Sequence, residues 1–138
     1  LNHGEISTLN NYFMLSKKHN VKDLLFISTH EPCPMCLSAI TWAGFDNIYY
    51  FFDYNDTAEM FNISHDLNIL KDVFGRVDGE YNRQNPFWQS FGIKVLIEKE
   101  KKSDKKMLLE KSNLITDTYK QLSQIYQKTK NDNEIPLN

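Results

Sequence analysis

Apolar residues at Ile6, Leu9 and Phe13 lie three and four apart, a spacing that predicts a helical stripe from residue 3 to about residue 18, facing a sheet. Leu24-Leu25-Phe26-Ile27 is a short apolar run between polar neighbours within residues 21–28, which predicts a buried strand delivering residues 29–31 to its carboxyl end. Pro32 and Pro34 are suited to open a helix that carries Leu37, Ile40 and Trp42 as far as Ala43, with Gly44 as its stop. Residues 47–52, rich in Ile, Tyr and Phe, predict the next strand. Strand, helix, strand in that order implies a parallel pair joined by a right-handed crossover, with any ligand at the carboxyl ends of the strands.

Further on, residues 57–61 and 65–74 predict short helices, the polar stretch 75–85 a loop, and the apolar run 93–97 a last strand. Ser103 is placed to cap a long helix in which Leu108, Ile115, Tyr119, Leu122 and Tyr126 form one apolar face. The Lys-rich stretch 99–106 reads as a solvated turn, and the polar tail 131–138, with Pro136, as a frayed end.

With 138 residues, 41% of them hydrophobic, the chain holds one core, so residues 1–130 are expected to form a single domain. It contains no run of 18 apolar residues and no charged-then-apolar leader, which makes the cytoplasm the expected location and a membrane span unexpected. Residues 1–97 carry 7 Lys plus Arg against 11 Asp plus Glu, a net of −4, whereas residues 98–138 carry 9 against 7, a net of +2. Nucleic-acid binding draws on clustered Lys and Arg. The acidic first part favours a small molecule instead.

Two short motifs carry chemistry. Cys33 and Cys36, in Pro32-Cys33-Pro34-Met35-Cys36, share nearly one face of a first helical turn, where the free N–H groups favour thiolate, the metal-binding form. His3 and Glu5 are two apart and share a site only at a helix entrance. Alone, a Cys-x-x-Cys is equally a redox pair or half of a structural zinc site, and a His-x-Glu is usually a solvated first turn. Together they describe zinc held by one His and two Cys, which leaves a fourth tetrahedral position open and marks the site as catalytic.

All five defining positions of the signature His-x-Glu followed by Pro-Cys-x-x-Cys are present, and over roughly residues 2 to 75 the chain resembles the zinc-dependent cytidine and deoxycytidylate deaminase superfamily. His3-Gly4-Glu5-Ile6-Ser7-Thr8-Leu9 is similar to fungal cytosine deaminases. Glu31-Pro32-Cys33-Pro34-Met35-Cys36, with Ala39-Ile40 and Trp42-Ala43, is similar to bacterial guanine deaminases. The resemblance implies an α/β, three-layer α/β/α fold with a central mixed sheet. It implies Zn2+ on His3, Cys33 and Cys36, with Glu5 as the catalytic proton shuttle and the Cys33 N–H as an oxyanion donor. The activity it implies is hydrolytic deamination of a nucleobase or nucleoside, guanine-like first and cytosine second, releasing ammonia.

Two further residues are substrate-binding candidates by the same resemblance. Trp42 is expected near the base or, equally, in the core between helix and sheet; Asp66 is expected to meet a purine or else to be a helix cap. His30 and His65 read as polar residues at a pocket rim, and Phe87, Trp88 and Phe91 as a lid or as plain packing. Because the chain opens Leu1-Asn2 without Met, the helix, two strands and substrate-gripping Asn that normally precede the His motif are expected to be missing. The alternatives are a non-catalytic deaminase-fold assembly module, which the intact Glu5 counts against, and a nucleic-acid editing deaminase such as one acting on tRNA adenosine, which the charge disfavours. A homodimer is compatible with the striped C-terminal helix.

Overall fold

The structure, a computed structural model, describes residues 2–132. Helix α1 (Gly4–Met14) is followed by a 3-10 turn (Val21–Asp23), strand β1 (Phe26–His30), helix α2 (Pro34–Ala43) and strand β2 (Asn47–Phe52). Helices α3 (Tyr54–Phe61) and α4 (His65–Asp72) lead through a long polar loop to strand β3 (Gln89–Gly92), and helices α5 (Ile93–Glu98) and α6 (Lys102–Thr129) complete the described chain. The sheet order is β1-β2-β3 and both pairings are parallel, Phe26 opposite Ile48 and Ile48 opposite Ser90. The α/β class therefore holds, and every ladder among the described strands is parallel. The tail expected over 133–138 lies outside the described residues, while Lys130–Asp132 forms a short 3-10 turn after α6. No described helix is long and apolar enough to cross a membrane.

Local chemistry explains the best-matched elements. Pro34 opens α2 behind Cys33 in the N-cap position, and Gly44 closes it in the left-handed conformation, φ 84°, which glycine adopts without strain. Helix α3 begins earlier than expected because Asp53 and Asp56 form a reciprocal capping box, each side chain accepting from the other's backbone N–H. Leu9, Phe26, Leu37, Ile40, Phe45, Ile48 and Trp88 form one buried cluster, beneath α1 and α2. Phe51, Phe52 and Phe61 form another, flanked by Ile93 and Tyr119.

Five expectations are corrected. Residues 93–97 are helical, not a strand; a run of five apolar and polar residues does not distinguish the two, and here Gly92 ends β3 as the N-cap of α5. The strand β1 is not buried on both faces: Phe26 is enclosed, but Ile27 is 66% exposed, because β1 stands at the edge of the described sheet. Helix α1 stops at Met14, four residues short of the predicted end, where Leu15 turns extended and bonds back to the Tyr12 carbonyl. Ser103 is not the cap of α6 but sits inside its first turn, after Lys101 in the N-cap position; the Lys-rich stretch is mostly helix, and Lys105 reaches back to Glu98 at 2.6 Å.

Phe52 is fully enclosed and its ring lies 4.8 to 5.2 Å from those of Phe61, Tyr119 and His30. Truncation there leaves a large void at the meeting of β2, α3 and α6. Phe52→Ala is expected to lose about 3–5 kcal/mol, read as a lower urea midpoint; an unchanged midpoint would show that this cluster contributes little.

Candidate metal centre

The carboxyl ends of β1 and β2 place the two motifs together. Glu31 N–H continues the parallel ladder by bonding to the Phe52 carbonyl at 2.7 Å; Pro32, having no N–H, ends it, and Cys33 then caps α2. Cys33 and Cys36, both buried, face across to α1. His3 holds the N-cap position of α1, extended with ψ 157°, and its carbonyl accepts from Ser7 N–H at 2.9 Å. That entrance geometry is what allows His3 and Glu5 to share a site although they are two apart. The His3 Nδ1 lies 3.5 Å from the Sγ of Cys33 and 3.5 Å from the Sγ of Cys36, and the three ligand atoms fall within 4.8 Å of one another.

These distances test the fit to zinc. Bonds of about 2.0–2.1 Å to nitrogen and about 2.3 Å to sulfur at a tetrahedral angle separate N from S by about 3.6 Å. The observed 3.5 Å agrees. A borderline-soft imidazole with two thiols is also the right chemistry for zinc. Without metal the thiols differ: Cys33 is lowered to about 6 by the hydrogen bond from Cys36, opposed by burial and helped by the N–H groups of Cys36 and Met35, while that same bond, with burial, pushes Cys36 up.

Glu5 stands beside the ligand atoms. Its Oε1 accepts from Ser28 Oγ at 3.1 Å and its Oε2 lies 3.6 Å from Cys36 Sγ, so one oxygen is anchored to β1 and the other faces the site. A cavity of about 500 Å³ opens here, lined among others by His3, Glu5, Ser28, His30, Cys33 and Asp66. Asp66, in the first turn of α4, is raised to about 6, chiefly by burial and then by the nearby Cys33. It is not a helix cap; that position belongs to Ser64. Burial also lowers the His30 imidazole, against the pull of Glu5 and Asp56.

Residues 1–52 match the family model described as the cytidine and deoxycytidylate deaminase zinc-binding region. The likeness to that zinc-binding region covers the stretch that carries both motifs. The chain is also 32% identical over 57 residues to the guanine deaminase of Bacillus subtilis (strain 168), a stretch covering 41% of this chain and 36% of that protein. The match thus spans about a third of the curated relative's length. No solved structure matches the chain.

The structure separates the remaining candidates. Asp66 reaches the cavity; Trp42 does not line it and is not core either, being 91% exposed on α2. The core alternative fails because position 42 falls on the outer side of the helix, opposite Leu37 and Ile40. Neither Phe87, Trp88 nor Phe91 lines the cavity: Trp88 is buried with its Nε1 donating to Thr41 Oγ1 at 2.7 Å, Phe91 stacks on Tyr49, and Phe87 is exposed. His30 is a cavity wall and His65 is not. Ser28 was the residue hardest to foresee; its only signal is a hydroxyl inside an apolar strand, two positions before His30.

Zinc measured by mass spectrometry is expected to be about stoichiometric in the parent and in Glu5→Ala, and to be lost in Cys33→Ala. Retention of full zinc by Cys33→Ala would remove that thiol from the ligand set. Asp66 adds a pH dependence to the metal-free chain. Since its folded pKa lies above the ordinary 3.8, the stability it contributes is present below that value and is lost as pH rises through about 6. Asp66→Asn should therefore raise the melting temperature by a few degrees at about pH 7.5 and by almost nothing at about pH 4; the opposite ordering would contradict the burial of this carboxyl.

Proposed function

We propose that this chain carries the catalytic centre of a zinc-dependent hydrolase that deaminates a nucleobase or nucleoside, with guanine-like rings first and cytosine second. The observation that carries the reading is the approach of His3, Cys33 and Cys36 to one centre with the Glu5 carboxylate beside it. A closed structural site takes four protein ligands, and a proton-carrying carboxylate has no use in one.

His3, Cys33 and Cys36 would hold the ion, which when bound supplies a Lewis acid able to activate water near neutral pH. Glu5 Oε2, facing the site, takes the proton released by that water and passes it to the ring nitrogen next to the carbon under attack. It then takes the remaining proton of the added hydroxyl and hands it to the amino group, so that the C–N bond breaks, ammonia leaves and a carbonyl remains. Ser28 fixes Oε1 during both transfers, which keeps the second oxygen in one orientation. The Cys33 N–H at the head of α2 offers a preorganised donor to the oxygen added at the ring carbon.

Asp66 supports a purine over a pyrimidine. A carboxyl group on the cavity wall can accept from ring N–H and amino donors of guanine, and a site built to pair such donors discriminates strongly against rings lacking them. The acid excess of residues 1–97 favours a free base or nucleoside over a phosphate-rich polymer.

Ammonia release should be measured on guanine, cytosine, adenine and their nucleosides with zinc quantified in each sample. The expected result is turnover of guanine or a close analogue above the rest, and a fall of at least ~100-fold in Glu5→Ala with zinc retained. Undiminished turnover by Glu5→Ala would falsify the proton-shuttle assignment, and a fully zinc-loaded chain inert to the whole panel would favour the non-catalytic assembly module.

A further inference from the structure

Glu31 is the most enclosed acidic side chain described, with none of its side-chain surface exposed, and the chemistry proposed above does not use it. Its Oε1 accepts from Tyr81 Oη at 2.7 Å, Arg83 Nε at 3.1 Å and Arg83 Nη2 at 2.9 Å, and its Oε2 accepts from the Tyr54 N–H at 3.2 Å. Three bonds saturate Oε1, and the Tyr54 N–H engages Oε2. Glu31 lines the cavity, but it is not among the residues that approach the ligand centre.

What those four bonds do is join two separate parts of the chain, the head of α3 and the loop before β3, to the residue two before Cys33. The Tyr54 N–H belongs to the first turn of α3, where the helix dipole favours an anion. Tyr81 and Arg83 lie in the polar loop between α4 and β3; Arg83 also lies 4.4 Å from the centroid of the Tyr81 ring and donates to the Gly79 carbonyl at 3.3 Å. The Arg83 carbonyl in turn accepts from Ser90 N–H of β3 at 2.9 Å. Next along the chain, the Pro32 carbonyl accepts from Tyr54 Oη at 2.6 Å. From Glu31 to Cys33 the backbone is thus held by the ladder bond to Phe52, by the fixed proline torsion and by Tyr54. Burial, with Glu31 next, pushes the Tyr81 phenol above its ordinary range, so it stays a donor.

We propose that Glu31, clamped by Arg83, Tyr81 and Tyr54, is a positioning residue that fixes the Cys33 half of the metal site. The proposal rests on the zinc reading above. A buried ion pair contributes little net stability over an apolar pair of the same shape, so its use here is in geometry: it sets where Cys33 Sγ can lie, while His3, exposed and without a side-chain cap bond, closes on the ion from a looser position. The polar loop, which the sequence presents as a mere connection, becomes the support of a ligand strand. Outer groups that orient ligands commonly change metal affinity by 10–100-fold.

The test uses the full chain. Zinc affinity is measured by competition with a chromophoric chelator, and the cobalt(II)-substituted protein is examined by its ligand-field and thiolate-to-metal absorption bands, with melting temperature recorded in parallel. Glu31→Gln, which keeps the shape but cannot accept at both ends, is expected to weaken zinc by about tenfold and to displace the cobalt bands. Arg83→Met should do the same or more, and Arg83→Lys, which keeps the charge and loses the planar fork, should recover part of the affinity. Tyr54→Phe leaves volume and Glu31 untouched, removes only the bond to the Pro32 carbonyl, and should weaken zinc several-fold in a folded protein; it decides the matter should the ion-pair variants not fold. Parent affinity and parent cobalt spectra in Glu31→Gln and Tyr54→Phe, whatever their melting temperatures, would overturn the positioning role. A parent chain that binds no zinc would overturn the metal reading itself.

Discussion

The 2.7 Å bond from the Glu31 N–H to the Phe52 carbonyl is the last rung of the β1–β2 ladder, and it meets a residue that cannot continue the pattern, because Pro32 has no hydrogen to donate. A parallel strand that must stop at a defined rung hands its next residues to a defined place above the sheet. Cys33 then begins a helix, Cys36 follows one turn later on the same face, and both sulfurs look toward the entrance of α1. Nothing in the intrinsic preferences of two cysteines would bring them to His3. The end of the ladder does so, and the rest of the site is arranged around it.

Charge is distributed around that point in a consistent way. Glu31 is neutralised by Arg83 below the cysteines, Glu5 is tethered by a hydroxyl, and Asp66 is left in a buried place that penalises its ionised form. A cavity lined by Glu5, Glu31, Asp66 and the Cys33 sulfur is negative in character. Such a place becomes comfortable when a dication enters, since the ion reverses the local balance for every group facing it.

The parts of this fold that could be read from residues alone are those where punctuation is chemical. Pro34 and Gly44 bracket α2, and the apolar run from residue 47 to 52 became β2 with those bounds. The His and Cys motifs were legible because their spacing has few other uses. Where side-chain hydrophobicity alone had to decide, the reading was weaker. Residues 93–97 could be strand or helix until Gly92 was seen to cap a helix, and Trp42 looked like a buried or ligand-facing ring until the helix phase turned it outward. The Glu31 clamp was invisible for another reason: its members are about 50 residues apart in the chain, and no local period announces a contact made by a loop.

The two tryptophans end up in opposite surroundings on either side of one short helix. Trp88 is 7% exposed with its indole N–H bound to Thr41, and Trp42, the next residue after Thr41, stands 91% exposed in water. The protein therefore contains two built-in lamps of different colour, a blue-shifted one sealed against the helix and a red-shifted one open to quenchers. Collapse of α2, the helix that bears both cysteines, would merge the two emissions into one.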